Sequence, residues 1–159
     1  MVGFMGVGKT TVGRRVAQQL ACLFVDLDQV IENEYGPIAD IIQHQGEGLF
    51  RAIEYAALQR TLAGSPRAIV STGGGIVTHA PSRALLQQCK PVIWLRAGMD
   101  TVLARIRSDR QHTRPLADER VGDRFQERAQ WYQAVATDII DCDTIIPKSV
   151  AEIIVNRYG

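Results

Sequence analysis

The chain has 159 residues, of which 46% are hydrophobic and 22% are charged, a balance typical of one soluble globular domain. A formal net charge of +1 excludes a global field that would attract nucleic acid or an anionic membrane, and no apolar run has transmembrane length. Three scattered cysteines, Cys22, Cys89 and Cys142, predict reduced thiols, and without a signal-peptide pattern we expect a cytoplasmic protein.

Short apolar runs alternate with amphipathic stretches along the chain. The apolar runs are typical of buried strands in a parallel sheet, and they lie at 23–25, 68–70, 91–95 and 144–146. Helical spacing covers 10–20, 48–62, 82–88, 101–107 and 120–136, and a capping box at 149–152 predicts a last helix. The alternation predicts an α/β sheet with helices on both faces, whose ligands bind beyond the carboxyl ends of the strands.

The first motif is a phosphate-binding loop. The segment G-F-M-G-V-G-K-T at 3–10 satisfies the pattern G-x-x-x-x-G-K-[ST] in full. Its glycines allow the backbone N–H groups to surround phosphate oxygens, Lys9 would reach the β- and γ-phosphates, and the Thr10 hydroxyl would ligate Mg²⁺. The predicted ATP-binding residues are Gly3, Met5, Gly6, Val7, Gly8, Lys9, Thr10 and Thr11.

Two aspartates follow the first apolar run after the loop. Asp26 and Asp28 are one residue apart, so on an extended chain they would project to the same side. One carboxylate could then hold metal-bound water while the other accepts a hydrogen bond from a substrate hydroxyl. An N-cap role at the start of the following helix is an equally open alternative.

A run of three glycines, Gly73–Gly75, follows the next predicted strand. It fits either a turn or the close approach of a ligand to bare backbone. Positions 71–72 carry Ser and Thr where a Walker B acid would be expected.

Arg51 lies near the start of a helix, where a cation opposes the helix dipole, and this placement favours an anion-binding role. Glu54, three residues later, could hold its guanidinium in place.

The stretch 108–123 is polar, charged and aperiodic, which is typical of a mobile lid and equally of a solvated loop. It contains Arg114. Arg128 belongs to an amphipathic helix together with Trp131 and Tyr132. Each of these arginines, taken singly, also fits a solvated or salt-bridged surface group.

Together these motifs resemble the shikimate kinases over nearly the whole chain and in the family's order. The matching segments are G-F-M-G-V-G-K-T at 3–10, D-L-D at 26–28, G-E-x-x-F-R at 46–51, G-G-G at 73–75, R-P-L at 114–116 and E-R-x-x-x-Y at 127–132. The resemblance implies one three-layer α/β/α P-loop kinase domain over 1–159, with a parallel five-stranded sheet of order 2-3-1-4-5. It also implies a substrate-binding helical region at 29–60 and a lid at 108–123.

The resemblance implies transfer of the ATP γ-phosphate to the 3-hydroxyl of shikimate by a monomeric enzyme. On the acceptor side, Asp28 looks like the residue that binds shikimate hydroxyls and takes the reacting proton. Arg51 and Arg128 look like the clamp on the shikimate carboxylate, with the Gly73–Gly75 backbone beside the ring.

On the nucleotide side, the resemblance implies that Lys9 and Arg114 act on the migrating phosphoryl group. Arg114 looks like the lid arginine that closes over ATP. Mg²⁺ would be bound by Thr10 directly and by Asp26 through water.

The sequence departs from the family at two places. The chain begins at Met1 and Val2, immediately before the loop, where family members carry an apolar strand. We therefore expect a truncated first strand, a mis-set start codon and a native chain that begins upstream. The segment 141–147 lacks the arginine that some members place against the purine, which leaves backbone and Lys148 for adenine recognition.

Two rival functions remain open at this point. A gluconate or nucleoside kinase of the same architecture would keep the phosphate loop, and a non-catalytic nucleotide-binding remnant would bind ATP without turnover. Arg51, Arg128 and the glycine run favour a compact carboxylated ring as acceptor. Asp28 and Arg114 favour catalysis over binding alone.

Overall fold

A computed structural model describes residues 1–64, 67–108 and 121–159 of the chain. Its helices are Lys9–Gln19 (α1), Leu27–Tyr35 (α2), Ile38–Gln45 (α3), Glu47–Gly64 (α4), Ala80–Gln88 (α5), Met99–Ser108 (α6), Val121–Val135 (α7) and Pro147–Tyr158 (α8), with a short 3-10 helix at Ile76–Thr78. Its strands are Leu23–Asp26 (β1), Ala68–Ser71 (β2), Ile93–Arg96 (β3) and Asp138–Asp141 (β4). Within these described ranges, no helix is both long enough and apolar enough to cross a membrane.

The strands pair in parallel, as the apolar sequences of β1, β2 and β3 predict. β1 pairs with β2 so that Leu23 lies opposite Ala68, and β3 pairs with β4 so that Ile93 lies opposite Asp138. The part of the chain that the structure describes therefore contains two two-stranded parallel sheets, and it does not display the five-strand order as one continuous sheet.

Residues 1–2 connect these two sheets through backbone hydrogen bonds. The Val2 N–H donates to the Ile93 carbonyl at 2.9 Å, and the Leu95 N–H donates to the Val2 carbonyl at 3.0 Å. On the other side, the Thr72 N–H donates to the Met1 carbonyl at 3.2 Å. Val2 is completely buried. Two residues thus bridge the ends of β2 and β3, directly before the phosphate loop.

The core forms between the strands and the helices that cover them. β3 buries Ile93, Trp94 and Leu95 in succession, as expected of a strand with both faces covered. α1 packs against α8 and buries Val12 and Val16, which are four residues apart and so lie on one helical face. The apolar face of α1 thereby holds the loop that precedes it in a fixed position on the sheet.

One predicted strand is wrong. The run at 144–146 is not a strand: Ile146 is 62% exposed and directly precedes α8. The strand that pairs with β3 is instead Asp138–Asp141, where only two isoleucines stand between acids. A strand at the edge of a sheet needs less apolar sequence, and here Arg96 and Asp141 pair across it at 2.5 Å. Counting apolar residues alone therefore identified the wrong segment as the strand.

The start of the last helix also differs from the prediction. α8 begins at Pro147 rather than after a capping box, so Ser149 lies inside the first turn. Proline suits this position because its fixed φ is helical and its missing N–H would have no partner there. Val150 and Ile154 are buried, as the helical spacing predicts, and Ile153 is partly buried.

Candidate active site

The phosphate loop leads directly into α1. Gly8 has a φ of 104° immediately before the helix, a left-handed conformation that side chains disfavour. A Cβ at Gly8 would contact nothing, so the backbone conformation rather than space requires glycine there. No side chain among the described residues caps the first turn of α1. Its N–H groups therefore face the loop, where the positive end of the helix dipole favours an anion.

Lys9 is held within this loop. Its ammonium group donates to the Gly3 carbonyl at 2.7 Å and to the Phe4 carbonyl at 2.9 Å, and the residue is only 9% exposed. The Val7 N–H also donates to the Phe4 carbonyl, at 3.4 Å. A buried cation at the centre of a ring of backbone groups is suited to the negative charge of a polyphosphate.

The other predicted loop residues contribute mainly through the backbone. Met5 and Val7 are buried, whereas Thr11 is exposed on α1. The side chains of Met5 and Val7 therefore pack in the hydrophobic core, and that of Thr11 lies on the surface of α1.

The Thr10 hydroxyl donates to the Asp26 carboxylate at 2.8 Å. Asp26 occupies the N-cap position of α2 but makes no capping hydrogen bond with its side chain. The Asp26 carboxylate therefore accepts a hydrogen bond from Thr10 instead of capping α2. A hydroxyl and a carboxylate side by side at the phosphate loop fit Mg²⁺, which prefers oxygen ligands and commonly keeps several waters.

Asp28 lies in the first turn of α2 rather than on an extended segment. The prediction that Asp26 and Asp28 project to the same side of an extended chain is wrong, because the helix begins at Leu27. Asp28 reaches the glycine run instead: a Cβ at Gly73 would lie 2.7 Å from its Oδ1. The two carboxylates consequently face different partners, one at the nucleotide loop and one at the glycines.

The glycine run provides bare backbone against which charged side chains pack. A Cβ at Gly73 would also lie 2.8 Å from Glu54 Oε1, and a Cβ at Gly75 would lie 2.6 Å from the Arg51 Cζ. Any larger residue would displace these groups. Close approach, rather than a turn alone, therefore explains the glycines at Gly73 and Gly75.

Arg51 is anchored on α4 by two glutamates. Its guanidinium donates to Glu54 Oε2 at 2.7 Å and to Glu47 Oε1 at 2.9 Å. The Arg51 side chain is 12% exposed and that of Glu54 is fully buried. Arg51 Nε and Glu54 Oε1 are both buried without a hydrogen-bond partner among the described residues. Within the part of the chain that the structure describes, the hydrogen bonds of this pair with each other and with Glu47 thus leave one buried donor and one buried acceptor unsatisfied.

Burial perturbs both members of this pair. Burial lowers the pKa of Arg51, but the charges and hydrogen bonds of Glu54 and Glu47 outweigh it and the net direction is upward. Burial raises the pKa of Glu54 to about 7, against the opposing effect of Arg51. Arg51 therefore stays cationic, whereas Glu54 can gain or lose a proton near neutral pH.

Arg128 reaches the same glycines from α7. It is 7% exposed, its guanidinium donates to the Gly74 carbonyl at 3.4 Å, and it lies 5.6 Å from the centre of the Phe4 ring. Burial lowers the pKa of Arg128, and the positive charge of Arg51 lowers it further. The structure therefore brings Asp28, Arg51 and Arg128 together around one short stretch of backbone.

Some predicted residues lie outside this arrangement. Residues 109–120, which include Arg114 and most of the predicted lid, lie outside the described residues. Lys148 is exposed on α8 and pairs with Glu152 at 4.0 Å.

The structure also shows a loop contact that sequence reasoning missed. Arg105 on α6 donates to the Val7 carbonyl at 3.1 Å and to the Cys142 carbonyl at 2.6 Å. It ties the phosphate loop to the end of β4. No sequence signal identifies it, because its partners are 98 and 37 residues away.

A loop shaped for nucleotide phosphates thus adjoins buried arginines and carboxylates, with only bare glycine backbone between the two groups. Phosphoryl transfer asks the protein mainly for such positioning of two reactants and for stabilisation of charge. The fold and the site together define a P-loop kinase that acts on a small molecule.

Comparison with known proteins identifies the family. The family model described as Shikimate kinase matches residues 5–158. A shikimate kinase of Streptococcus gordonii is 40% identical over 159 residues, which cover 97% of this chain and 96% of the relative. One from Sulfurihydrogenibium sp. is 35% identical over 161 residues, covering 99% and 95%. This chain belongs to the shikimate kinase family.

A solved structure extends this similarity to three dimensions. The shikimate kinase from Acinetobacter baumannii in complex with shikimate has a TM-score of 0.89 and 32% sequence identity, and the match covers 98% of this chain and 89% of that one. The α/β kinase fold predicted from the sequence is therefore confirmed.

Proposed function

We propose that the protein transfers the γ-phosphate of ATP to the 3-hydroxyl of shikimate, giving shikimate 3-phosphate and ADP. One observation carries the proposal beyond family membership: Asp28, Arg51 and Arg128 meet around Gly73–Gly75, next to the phosphate loop. A compact acceptor that carries both a carboxylate and hydroxyls would match two guanidinium groups and a carboxylate at that place.

The acceptor carboxylate would lie between Arg51 and Arg128. The two guanidinium groups are buried and close enough for the charge of Arg51 to lower the pKa of Arg128. A carboxylate between them relieves this repulsion, and guanidinium forks bind carboxylates bidentately in a fixed plane. This arrangement favours a carboxylated acceptor over a nucleoside, which carries no anionic group, and the choice between shikimate and gluconate is left to the acceptor assay.

Asp28 would accept a hydrogen bond from the reacting hydroxyl. As the hydroxyl oxygen bonds to the γ-phosphorus, the bond from that phosphorus to the β–γ bridging oxygen breaks and ADP leaves. The hydroxyl proton passes to the Asp28 carboxylate. The position of Asp28 against Gly73, with no side chain between them, supports this role.

On the nucleotide side, we assign the phosphates to the loop N–H groups and to Lys9. Mg²⁺ held by Thr10, and through water by Asp26, would neutralise phosphate charge when bound. The contact of Thr10 with Asp26 supports this pairing. Arg114 would close over ATP from the lid.

We also propose that the two sheets, joined by residues 1–2, form one continuous parallel sheet. Residues 1–2 hydrogen bond towards both β2 and β3, so the spatial order β1, β2, residues 1–2, β3, β4 corresponds to the order 2-3-1-4-5. The enzyme would act as a monomer, because both substrates are bound by side chains of one chain.

An ADP-release assay tests the function directly. Purified protein, ATP and Mg²⁺ are combined with shikimate, gluconate, a nucleoside or no acceptor. We expect ADP release that depends on shikimate. Release that prefers gluconate or a nucleoside would favour a rival kinase, and nucleotide binding without acceptor-dependent release would favour a non-catalytic protein.

A second arm of the same assay tests Asp28. We expect Asp28→Asn to lower kcat by about 10²–10⁴ while the Kd for ATP stays within about twofold, since the proton acceptor is lost but the phosphate loop is intact. Asp40→Asn, at an exposed position in the first turn of α3, is the matched control and should keep normal turnover. Near-normal turnover of Asp28→Asn would contradict the role given to Asp28.

A further inference from the structure

The Gly74 carbonyl receives hydrogen bonds from two side chains of α7. The Tyr132 hydroxyl donates a short hydrogen bond to it, and Arg128, one helical turn earlier, donates at 3.4 Å. Tyr132 is 2% exposed, and burial raises the pKa of its hydroxyl. The hydroxyl therefore keeps its proton throughout the neutral range and remains a donor to Gly74.

The position of this hydroxyl is set by packing rather than by Gly74. The Tyr132 ring stacks on Trp94 of β3, with ring centroids 5.5 Å apart and planes inclined by 30°. Both rings are buried. Because β3 is held on both sides by backbone hydrogen bonds, the sheet determines where the hydroxyl lies and hence where the Gly74 carbonyl must point.

The orientation of the Gly74 carbonyl also determines the orientation of the Gly75 N–H group. The peptide unit between Gly74 and Gly75 is planar and trans, so the Gly75 N–H points away from Tyr132. Gly75 adjoins Arg51, and Gly73 adjoins Asp28. The orientation of this peptide plane is therefore part of the acceptor side of the site. The phosphate loop has internal bonds of its own through Lys9 and depends less on Tyr132.

We propose that Tyr132 is a positioning residue for the carboxylated acceptor, because its hydroxyl sets the Gly74–Gly75 peptide plane and leaves Arg128 available to the acceptor carboxylate. Without the hydroxyl, the partly buried Gly74 carbonyl loses the hydrogen bond from Tyr132 and draws the Arg128 guanidinium towards itself. The inference rests on the proposed function, since it concerns the same acceptor.

The test is Tyr132→Phe, which removes one oxygen and keeps the ring on Trp94. We expect the KM for shikimate, and the shikimate Kd from calorimetry, to rise about three- to tenfold. The KM for ATP should change by less than about twofold. Tyr158→Phe is the matched control, because it also loses one tyrosine hydrogen bond, at 3.0 Å to Asp138, far from the glycine run. Neither KM should change in that control.

Four outcomes would overturn the inference. Equal shifts of the two KM values, or a lower Tm with an unchanged shikimate KM, would make Tyr132 a packing residue only. A wild-type protein without shikimate-dependent ADP release would remove the proposed function together with the inference. If the wild type is active and Tyr132→Phe has an unchanged KM for shikimate, the inference is overturned and the proposed function stands.

A second measurement applies if Tyr132→Phe does not fold. The wild-type chain labelled with 3-fluorotyrosine retains the hydroxyl and its packing. We expect the fluorine resonance of Tyr132, assigned by its burial, to shift on addition of shikimate more than on addition of ATP. A resonance that shikimate leaves unmoved would contradict the positioning role.

Discussion

At the scale of single residues, the pair of Arg51 and Glu54 shows how the site combines charge with burial. Removing charges from water costs several kcal/mol per ion, which a close partner repays only in part. Here one oxygen of Glu54 pairs with Arg51 at 2.7 Å, while the other faces the glycine run without a partner among the described residues. The pair is therefore expected to add little to the stability of the folded chain, which agrees with the ligand-binding role proposed for Arg51.

Arg51→Ala should weaken acceptor binding more than nucleotide binding. Loss of a charged hydrogen-bond donor typically costs about 1.5–3 kcal/mol, so we expect the KM for shikimate to rise roughly ten- to a hundredfold. The KM for ATP should change little, since Arg51 packs on Gly75 and makes its side-chain hydrogen bonds with Glu47 and Glu54 rather than with the phosphate loop. Steady-state kinetics with each substrate varied in turn measure both.

Arg60→Ala provides the control for that change. Arg60 lies on the same helix and pairs with Glu34 at 2.6 Å, but both side chains are about half exposed. Such a pair contributes little, so kinetics should remain those of the wild type. Equal losses of affinity for both substrates in Arg51→Ala would contradict the carboxylate clamp.

Glu54 should make the stability of the protein depend on pH. Its pKa is about 7 in the folded protein and 4.5 as the ordinary value, so the folded chain binds more protons between these values. Its contribution is therefore fully favourable below pH 4.5 and is lost as pH rises through 7, by up to about 3 kcal/mol. In Glu54→Gln this contribution is absent.

Urea unfolding at several pH values measures the difference between the two proteins. The free energy of unfolding of wild type, relative to Glu54→Gln, should fall between pH 4.5 and 7 and stay level above that range. A flat difference would show that folding leaves the pKa of Glu54 unchanged, and a difference that rises with pH would show that folding lowers it.

At the scale of elements, the glycine run has no room for a side chain at Gly73 or Gly75 while Asp28, Glu54 and Arg51 keep their positions. Gly75→Ala places a Cβ 2.6 Å from the Arg51 Cζ, so the guanidinium must leave its position between the glutamates. We expect the KM for shikimate to rise about tenfold or more, since one charged partner is displaced.

Gly48→Ala is the matched control for this element. Gly48 lies in the first turn of α4, and a Cβ there would contact nothing. The change should leave the kinetics unaltered and stabilise the protein by about 0.5–1 kcal/mol, because alanine favours the helix. If Gly75→Ala behaved like Gly48→Ala, the close packing of Arg51 on the glycine run would be refuted.

The elements could be predicted where local sequence determines local structure. Eight residues specify the phosphate loop, and continuous apolar runs identify β1, β2 and β3. β4 was missed because Ile139 and Ile140 stand between acids whose role, such as the Arg96–Asp141 pair, depends on the neighbouring strand. Periodicity also predicted that Tyr132 lies on an amphipathic helix, yet not that it reaches Gly74, 58 residues earlier. Contacts of that kind depend on tertiary packing.

At the scale of the whole molecule, cohesion between the two sheets depends on residues 1–2. Val2→Ala should lower the free energy of unfolding by about 2–3 kcal/mol, because two buried methyl groups are lost from a completely buried site. Urea unfolding provides the value. Leu23→Ala, at a position that is 64% exposed on β1, should cost less than about 0.5 kcal/mol. Similar costs for both variants would contradict the complete burial of the Val2 side chain in the core.

The position of Gly74 has a thermodynamic consequence for how the two substrates bind. A Cβ at Gly74 would lie 3.1 Å from the Met5 nitrogen, so the backbone of the glycine run packs closely against the phosphate loop. Small displacements on one side are transmitted to the other, because packed interiors compress little. Cooperativity between ADP and shikimate is therefore expected, and it must be reciprocal: the factor by which ADP changes the Kd of shikimate equals the factor by which shikimate changes the Kd of ADP.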